Sequence, residues 1–325
     1  MYNKQAVSRF SIHLFALAAL ILPPAPAQIL LNPPRDPAVI TVDVDLVNVL
    51  FSVRDRKGVY VKSLERENFQ IKENGRQMEI KHFAREVDTP IVVSLLIDVS
   101  GSVSRILPIE QAAAARFLKE VMRPTDEALL GSFAAHIAIW QDLTSSMPLL
   151  KTALERSNDR IVPRNASEIS TRGGTLLYDA ISLVARTKMR KKQGRKTMVV
   201  ITDGLDNGSL ASIESSSKDA IESDTVIFAI HYEDDDASDN SGRKGMSALK
   251  KLAEPTGGHM FHVDKKTSLD KVFAAIQEEM RSQYAIAFTP VDPKRDGAFR
   301  KLEVKTNKPG LKVNTRDGYY ALPHP

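Results

Sequence analysis

Apolar and polar residues change their spacing twice along this chain. Residues 41–53 (TVDVDLVNVLFSV) alternate at first, with Val42, Val44 and Leu46 on one side, the period-two signature of a strand. Leu64, Phe69 and Ile71, then Met78, Ile80 and Phe83, flank a turn at Glu73-Asn74-Gly75, and Pro90 closes a small antiparallel β unit. Residues 91–97 (IVVSLLI) are instead a nearly continuous apolar run, which predicts a strand buried on both faces of a parallel sheet. Similar strands are predicted at 197–201 and 225–231, an edge strand at 260–263, and two strands joined by a tight turn near 134–136 within 128–140. Helical spacing covers 110–122, 148–156, 176–189, 213–223, 246–253 and 269–281, with Ala113, Phe117 and Val121 on one face of the first helix. The acidic, Ser- and Gly-rich run 233–245 reads as a loop. Beyond 281 the alternation returns in Tyr284, Ile286 and Phe288, and again around Leu302, Val304, Leu311, Val313 and residues 319–322.

Strands alternating with helices predict an α/β domain with a doubly wound parallel sheet over residues 90–281. Neither β flank, 41–89 or 282–325, has enough apolar residues to bury a core alone. The two are therefore expected to pair into one small β-sandwich beside the α/β domain, since chain ends often lie close together.

The first 40 residues have a different character. Residues 1–27 combine a basic start, an apolar run from Phe10 to Leu22 and the small-residue sequence Ala25-Pro26-Ala27, the pattern of a secretory signal peptide cleaved before Gln28. The apolar run is shorter than the roughly 20 residues that cross a bilayer, and no later stretch is long enough, so no transmembrane segment is expected after cleavage. Residues 28–40, with prolines at 33, 34 and 37, read as a linker. The expected location is periplasmic, cell-surface or secreted. Absence of cysteine excludes disulfides, thiolate metal sites and a cysteine nucleophile, and a net charge of +5 is too mild to imply a nucleic-acid partner.

The candidate chemistry sits where the strand at 91–97 ends. Asp98, Ser100 and Ser102 follow at alternate positions with Gly101 between the serines, so one tight turn can aim three oxygen-bearing side chains at one point. Oxygen donors without His or Cys suit Mg²⁺, Mn²⁺ or Ca²⁺, and the carboxyl end of a strand is where open α/β sheets bind ligands. Two later stretches belong at the same edge: Thr175, in a glycine-rich loop just before a helix, and Asp203, ending the apolar strand MVVITD ahead of Gly204.

Asp98-x-Ser100-x-Ser102, a loop threonine before a helix and a strand-terminal Thr202-Asp203-Gly204 together resemble the metal-ion-dependent adhesion site (MIDAS) of von Willebrand factor type A (VWA) domains. The order of strands and helices from 90 to 281 agrees. Phe51-Ser52-Val53-Arg54-Asp55, Glu67-Asn68-Phe69, Gln283-Tyr284, Phe288-Thr289-Pro290 and Gly318-Tyr319-Tyr320 are similar to the flanks of exported bacterial "VWFA-related" proteins abundant in acidobacteria. The resemblance implies a Rossmann-like VWA domain. It also implies a divalent ion held through the hydroxyls of Ser100, Ser102 and Thr175, with Asp98 and Asp203 binding directly or through water. A partner protein or acidic ligand would then supply a carboxylate to the ion.

Several other residues read as structural. Asp206 and Asn207 fit a solvated turn, Asp179 a helix-dipole or outer-sphere role, and His231 a strand end. His259 and His262, three apart on a strand, would face opposite ways with no third zinc ligand. The acidic run 233–236 with Asp239 lacks a calcium-loop framework, and the basic run 186–196 closes a helix in water. No G-x-S-x-G elbow, phosphate loop or H-E-x-x-H occurs, so a binding protein is expected rather than an enzyme. A structural envelope component is the alternative, ahead of a metal-dependent hydrolase.

Overall fold

The structure is a computed structural model and describes residues 46–85, 89–101, 107–156, 174–232 and 239–323. The expected leader and linker, residues 1–40, and the start of the first predicted strand lie outside those residues.

Four short strands come first: β1 (Val47–Arg54), β2 (Phe69–Glu73), β3 (Arg76–Met78) and β4 (His82–Arg85). The α/β domain then runs β5 (Ile91–Asp98), α1 (Leu107–Val121), β6 (Glu127–Phe133), β7 (Ile137–Thr144), α2 (Met147–Arg156), α3 (Leu177–Val184) and β8 (Arg195–Thr202). It continues with α4 (Ile213–Glu222), β9 (Thr225–His231), α5 (Asp239–Ala253), β10 (Met260–His262) and α6 (Leu269–Arg281). The chain closes with β11 (Tyr284–Phe288), β12 (Phe299–Thr306), β13 (Lys312–Thr315) and β14 (Gly318–Tyr320).

The central sheet has the order β10-β9-β8-β5-β6-β7, parallel throughout except for the antiparallel β6–β7 pair. Strand β5 shows why its sequence is apolar on both sides. Ile91, Val93, Leu95 and Ile97 pack into one core with Ala114, Leu118, Leu150, Phe273 and Ile276 from α1, α2 and α6. Val92 and Leu96 enter a second core on the opposite face, with Leu177 and Ile181 of α3 and Leu249 and Leu252 of α5. Successive side chains of a strand point to opposite faces, so a strand covered by helices on both sides has no polar face to spare. Burying each aliphatic side chain contributes about 1.5–3 kcal/mol, which makes β5 the anchor of the domain.

Both flanks contribute to each of two further four-stranded sheets, ordered β13-β1-β11-β4 and β14-β12-β2-β3. Their facing sides share one core, including Val49, Phe51, Phe69, Ile71, Tyr284, Ile286, Leu302 and Val304, so the flanks form a small β-sandwich. The Tyr284 hydroxyl donates to the Val61 carbonyl at 2.8 Å and accepts from Leu64 N at 3.1 Å. Where this sandwich meets the α/β domain, Glu279 of α6 accepts from Ser52 Oγ and Arg54 Nη2, both at 2.8 Å. Asn314 Nδ2 at 3.4 Å and His259 Nε2 at 3.3 Å complete the seam.

Local differences from the sequence reading have identifiable causes. Helix α5 opens at Asp239, inside the stretch read as a loop, because its first turn is Asp239-Asn240-Ser241-Gly242. Such residues favour helix starts but carry no apolar period, and the apolar face begins only at Met246. The helix expected over 176–189 is α3 followed by a π-helical turn, Ala185–Met189, in which Arg190 N donates to the Ala185 carbonyl at 2.9 Å. The basic run is not simply solvated. Lys188 pairs with Asp142, Lys192 Nζ lies 2.6 Å from Glu127 Oε2, and buried Arg195 donates to the Met280 carbonyl at 2.7 Å.

Candidate functional site

The carboxyl edge of the central sheet is built by β5 and β8 lying side by side, with Ile97 opposite Ile201, so Asp98 and Thr202 finish their strands at one level. Thr202 Oγ1 donates to Asp98 Oδ2 at 2.6 Å and accepts from Gly204 N at 3.0 Å. Ser100 N donates to Asp98 Oδ1 at 2.9 Å, which bends the chain as it leaves β5, and Val99 N donates to the Phe133 carbonyl at the end of β6. Asp203 follows Thr202 directly and is buried, with its Oδ1 accepting from Leu205 N at 2.9 Å.

Gly204 turns the chain here at φ 79°. A Cβ at Gly245 would fall 1.9 Å from the Asp203 carbonyl oxygen, so the glycine in α5 lets that helix close against the turn.

Thr175 reaches the same edge by two tethers. Leu176 N donates to the Ala134 carbonyl, just beyond β6, at 2.9 Å, and Thr175 N donates to Asn207 Oδ1 at 2.6 Å. Asn207 N returns a hydrogen bond to the Thr175 carbonyl at 3.3 Å. Asp206 Oδ1 accepts from Tyr178 N in the first turn of α3, and the two Asp179 oxygens accept from Leu210 N and Ala211 N. The loop 203–212 is thus a hydrogen-bonded arch that holds the start of α3. This corrects the reading of Asp206 and Asn207 as a solvated turn: Asn207 is exposed, yet its side chain fixes the Thr175 backbone.

The structure therefore brings Asp98, Ser100, Thr175 and Asp203 to one edge, while Ser102 lies outside the described residues. Three participants escaped the sequence reading. Thr202 figures in the sequence only as part of the strand-terminal Thr-Asp-Gly, with no role of its own, Asn207 only as a turn residue, and Glu110 only as the start of a helix, although it continues the Ala113, Phe117 and Val121 face of α1 at helical spacing.

Charge at this edge is unusual. Asp98 is 1 % exposed, and burial pushes its carboxyl up to about 6, against hydrogen bonds from Ser100 and Thr202 and with the charge of Asp203 adding to the rise. Glu110 is equally buried and is pushed up to about 9, by burial and by the charge of Asp98. Across the edge, buried His231 sits opposite Thr202 in the ladder, and its Nδ1 lies 3.0 Å from His262 Nδ1. Burial and the facing His262 lower His231 to about 4, so the ring is neutral near pH 7. His259 is in a different neighbourhood, against Glu279. Among the described residues no helix is long and apolar enough to cross a membrane.

The donors gathered here are oxygens: carboxylates, hydroxyls and a turn of backbone. Comparison with known proteins gives this edge a family context. No curated protein sequence matches the chain. Among solved structures it is similar to BatB from Bacteroides thetaiotaomicron, at 19 % identity, covering 58 % of this chain and 97 % of that one with a TM-score of 0.44. It is similar also to an aerotolerance-related membrane protein from Bacteroides fragilis, at 19 % identity, 58 % and 98 % coverage and a TM-score of 0.42. For the vWF domain of the type V pili tip protein Mfa5 from Porphyromonas gingivalis the values are 15 %, 59 %, 95 % and 0.43. The family model of the von Willebrand factor type A domain, a module that generally mediates protein interactions, matches residues 93–275. That stretch is more than half of the sequence, and the chain belongs to the von Willebrand factor type A domain family.

Proposed function

We propose that this chain is an exported adhesion-type protein whose sheet edge holds a divalent cation, Mg²⁺ with Mn²⁺ or Ca²⁺ as alternatives. The ligands are Asp98, Ser100, Ser102, Thr175 and Asp203. A protein partner or acidic ligand completes the site with a carboxylate. The observation that carries this reading is the placement of two buried carboxylates, Asp98 and Asp203, near enough for one to raise the other, among hydroxyl donors. An all-oxygen donor set of this kind fits a hard cation and not zinc or copper.

A bound ion would supply a Lewis-acidic position open to a carboxylate. The chain's own residues do the positioning. Thr202 and the Ser100 amide fix both oxygens of Asp98, Leu205 N fixes Asp203, and Asn207 fixes the Thr175 backbone. Two carboxylates nearly neutralise a divalent ion, while neutral hydroxyls leave it electrophilic. Recognition of this kind needs no bond breaking.

The test is calorimetric titration of Mg²⁺ into residues 28–325, followed by capture from the native cell envelope in Mg²⁺, in chelator and with Asp98→Ala. Metal binding and metal-dependent capture lost together in the variant support the reading. Capture indifferent to both metal and mutation replaces it with a structural envelope role.

A further inference from the structure

Among the described residues, one large apolar side chain that stands in water differs from the rest. Leu210 is 93 % exposed, whereas Val59, Ile109, Leu149, Val291 and Phe299 range from 42 % to 57 %. An exposed leucine is ordinary by itself. A leucine held still in that position is not.

The backbone around Leu210 is tied on both sides. Leu210 N and Ala211 N donate to the two oxygens of Asp179, at 3.0 and 2.8 Å, and that carboxylate is buried. Ser209 Oγ donates to Asp206 Oδ1 at 2.6 Å and accepts from Asp179 N at 3.0 Å. Ser212 ends the arch by capping α4, its Oγ accepting from Ser215 N at 3.1 Å. An apolar group presented on so fixed a loop loses little freedom when a partner covers it, and its removal from water favours the complex.

The position of the arch gives that presentation a use. Through Asp179, Leu210 is bound to the helix start that follows Thr175, so it stands on the rim of the edge formed by Asp98 and Asp203. Helix α5 adds positive charge to the same rim. A Cβ at Gly204 would fall 2.6 Å from the Gly245 carbonyl oxygen, so the exposed residues just before it, Arg243 and Lys244, lie on the turn that abuts the Asp203 loop. Leu149 supplies a contrast: it opens α2 after β7, whose last residue, Thr144, pairs with Ala128 near the start of β6, which places it at the opposite edge of the sheet.

We propose that Leu210 is a fixed apolar contact for the partner at this edge, and that the partner is a protein segment with an apolar side chain next to an acidic one. The acid meets the Asp98 and Asp203 site and the cationic turn of α5, and the apolar neighbour covers Leu210. This rests on the reading of the edge as the receiver of a carboxylate and names what lies beside that carboxylate.

The experiment selects a random-peptide phage library on residues 28–325 in Mg²⁺ and measures the best synthetic peptide by calorimetry. Enriched peptides should pair Asp or Glu with an adjacent aliphatic or aromatic residue. That peptide should bind Leu210→Ser and Leu210→Gln about tenfold more weakly than wild type, with Mg²⁺ affinity and melting temperature unchanged, and should bind Leu149→Ser as wild type. Acidic peptides without an apolar preference, or equal binding to the Leu210 variants, overturn the role of Leu210 and leave the carboxylate reading intact. An apolar preference without an acidic one overturns both. A selection that enriches no peptide overturns this proposal, while Mg²⁺ calorimetry on the same sample judges the cation reading separately.

Discussion

Two buried carboxylates, 181 residues apart in sequence and both 1 % exposed, sit in opposite electrostatic settings. At the seam between the β-sandwich and α6, burial alone would raise Glu279. The close approach of His259, the charge of Arg54 and the hydrogen bond from Ser52 instead hold it below its ordinary value. At the carboxyl edge of the sheet burial prevails: Asp98 is pushed up despite its hydroxyl and amide donors, and the like charge of Asp203 adds a little to the rise. The first is an interaction that protein groups have closed. At the second, the charge that acts from a described residue is of Asp98's own sign, and that is the difference between the two settings.

The sharpest way to break this comparison is to remove each acid in chelator and measure denaturant unfolding. Glu279→Ala strands Ser52, Arg54 and His259 and should cost about 3 kcal/mol. Asp98→Asn should act in the opposite sense, raising stability by about 1–3 kcal/mol near pH 7, because it relieves a carboxylate held well above its unfolded value. A loss of stability in both variants would erase the distinction.

Acid–base profiles sharpen it further. Asp98 shifts from 3.8 to about 6 on folding, so the stability it contributes is full below 3.8 and is lost as pH rises through 6. Glu279, with an ordinary value of 4.5, shifts down, so its contribution is present above 4.5 and is lost as pH falls through its folded value. In chelator, Asp98→Asn should flatten the loss between pH 4 and 6, and Glu279→Gln the loss below 4.5, as read from unfolding midpoints. A further effect is expected at the hydroxyl between the strands. Thr202→Val keeps the shape but removes the donor to Asp98 and the acceptor of Gly204 N, so Mg²⁺ affinity measured by calorimetry should fall about tenfold and stability by about 1–3 kcal/mol.

How much of this was legible beforehand varies with the range of the interaction. β5 was readable because a strand covered on both faces must be apolar at nearly every position, and β9 and α6 were readable from pattern and flanking breakers. Asp98 and Asp203 were readable as acids ending apolar strands, and Thr175 as a polar residue between glycines and a helix. Thr202 was not, since a threonine is an ordinary strand residue until its neighbour in the sheet is known to be Asp98. Glu110 was hidden for a related reason: a glutamate in a helix usually faces water, and its burial follows only from the rotational setting of α1 on the sheet. The opening of α5 was missed because polar helix starts look like loops.

The flank topology has a mechanical consequence. Strands β4 and β11, which lead into and out of the α/β domain, are antiparallel neighbours, with Arg85 opposite Tyr284 and His82 opposite Ala287. β1 lies between β11 and β13, its outer end beside the outer end of β11 at Val47 and Phe288. Tension applied through the chain ends is therefore borne first by the ladders of the sandwich strands. The α/β domain hangs from that path as a closed loop and stays unstretched until the sandwich parts. In a single-molecule pulling trace, release of the flanks should precede extension of the 190 residues of Ile91–Met280, and the reverse order would contradict this load path.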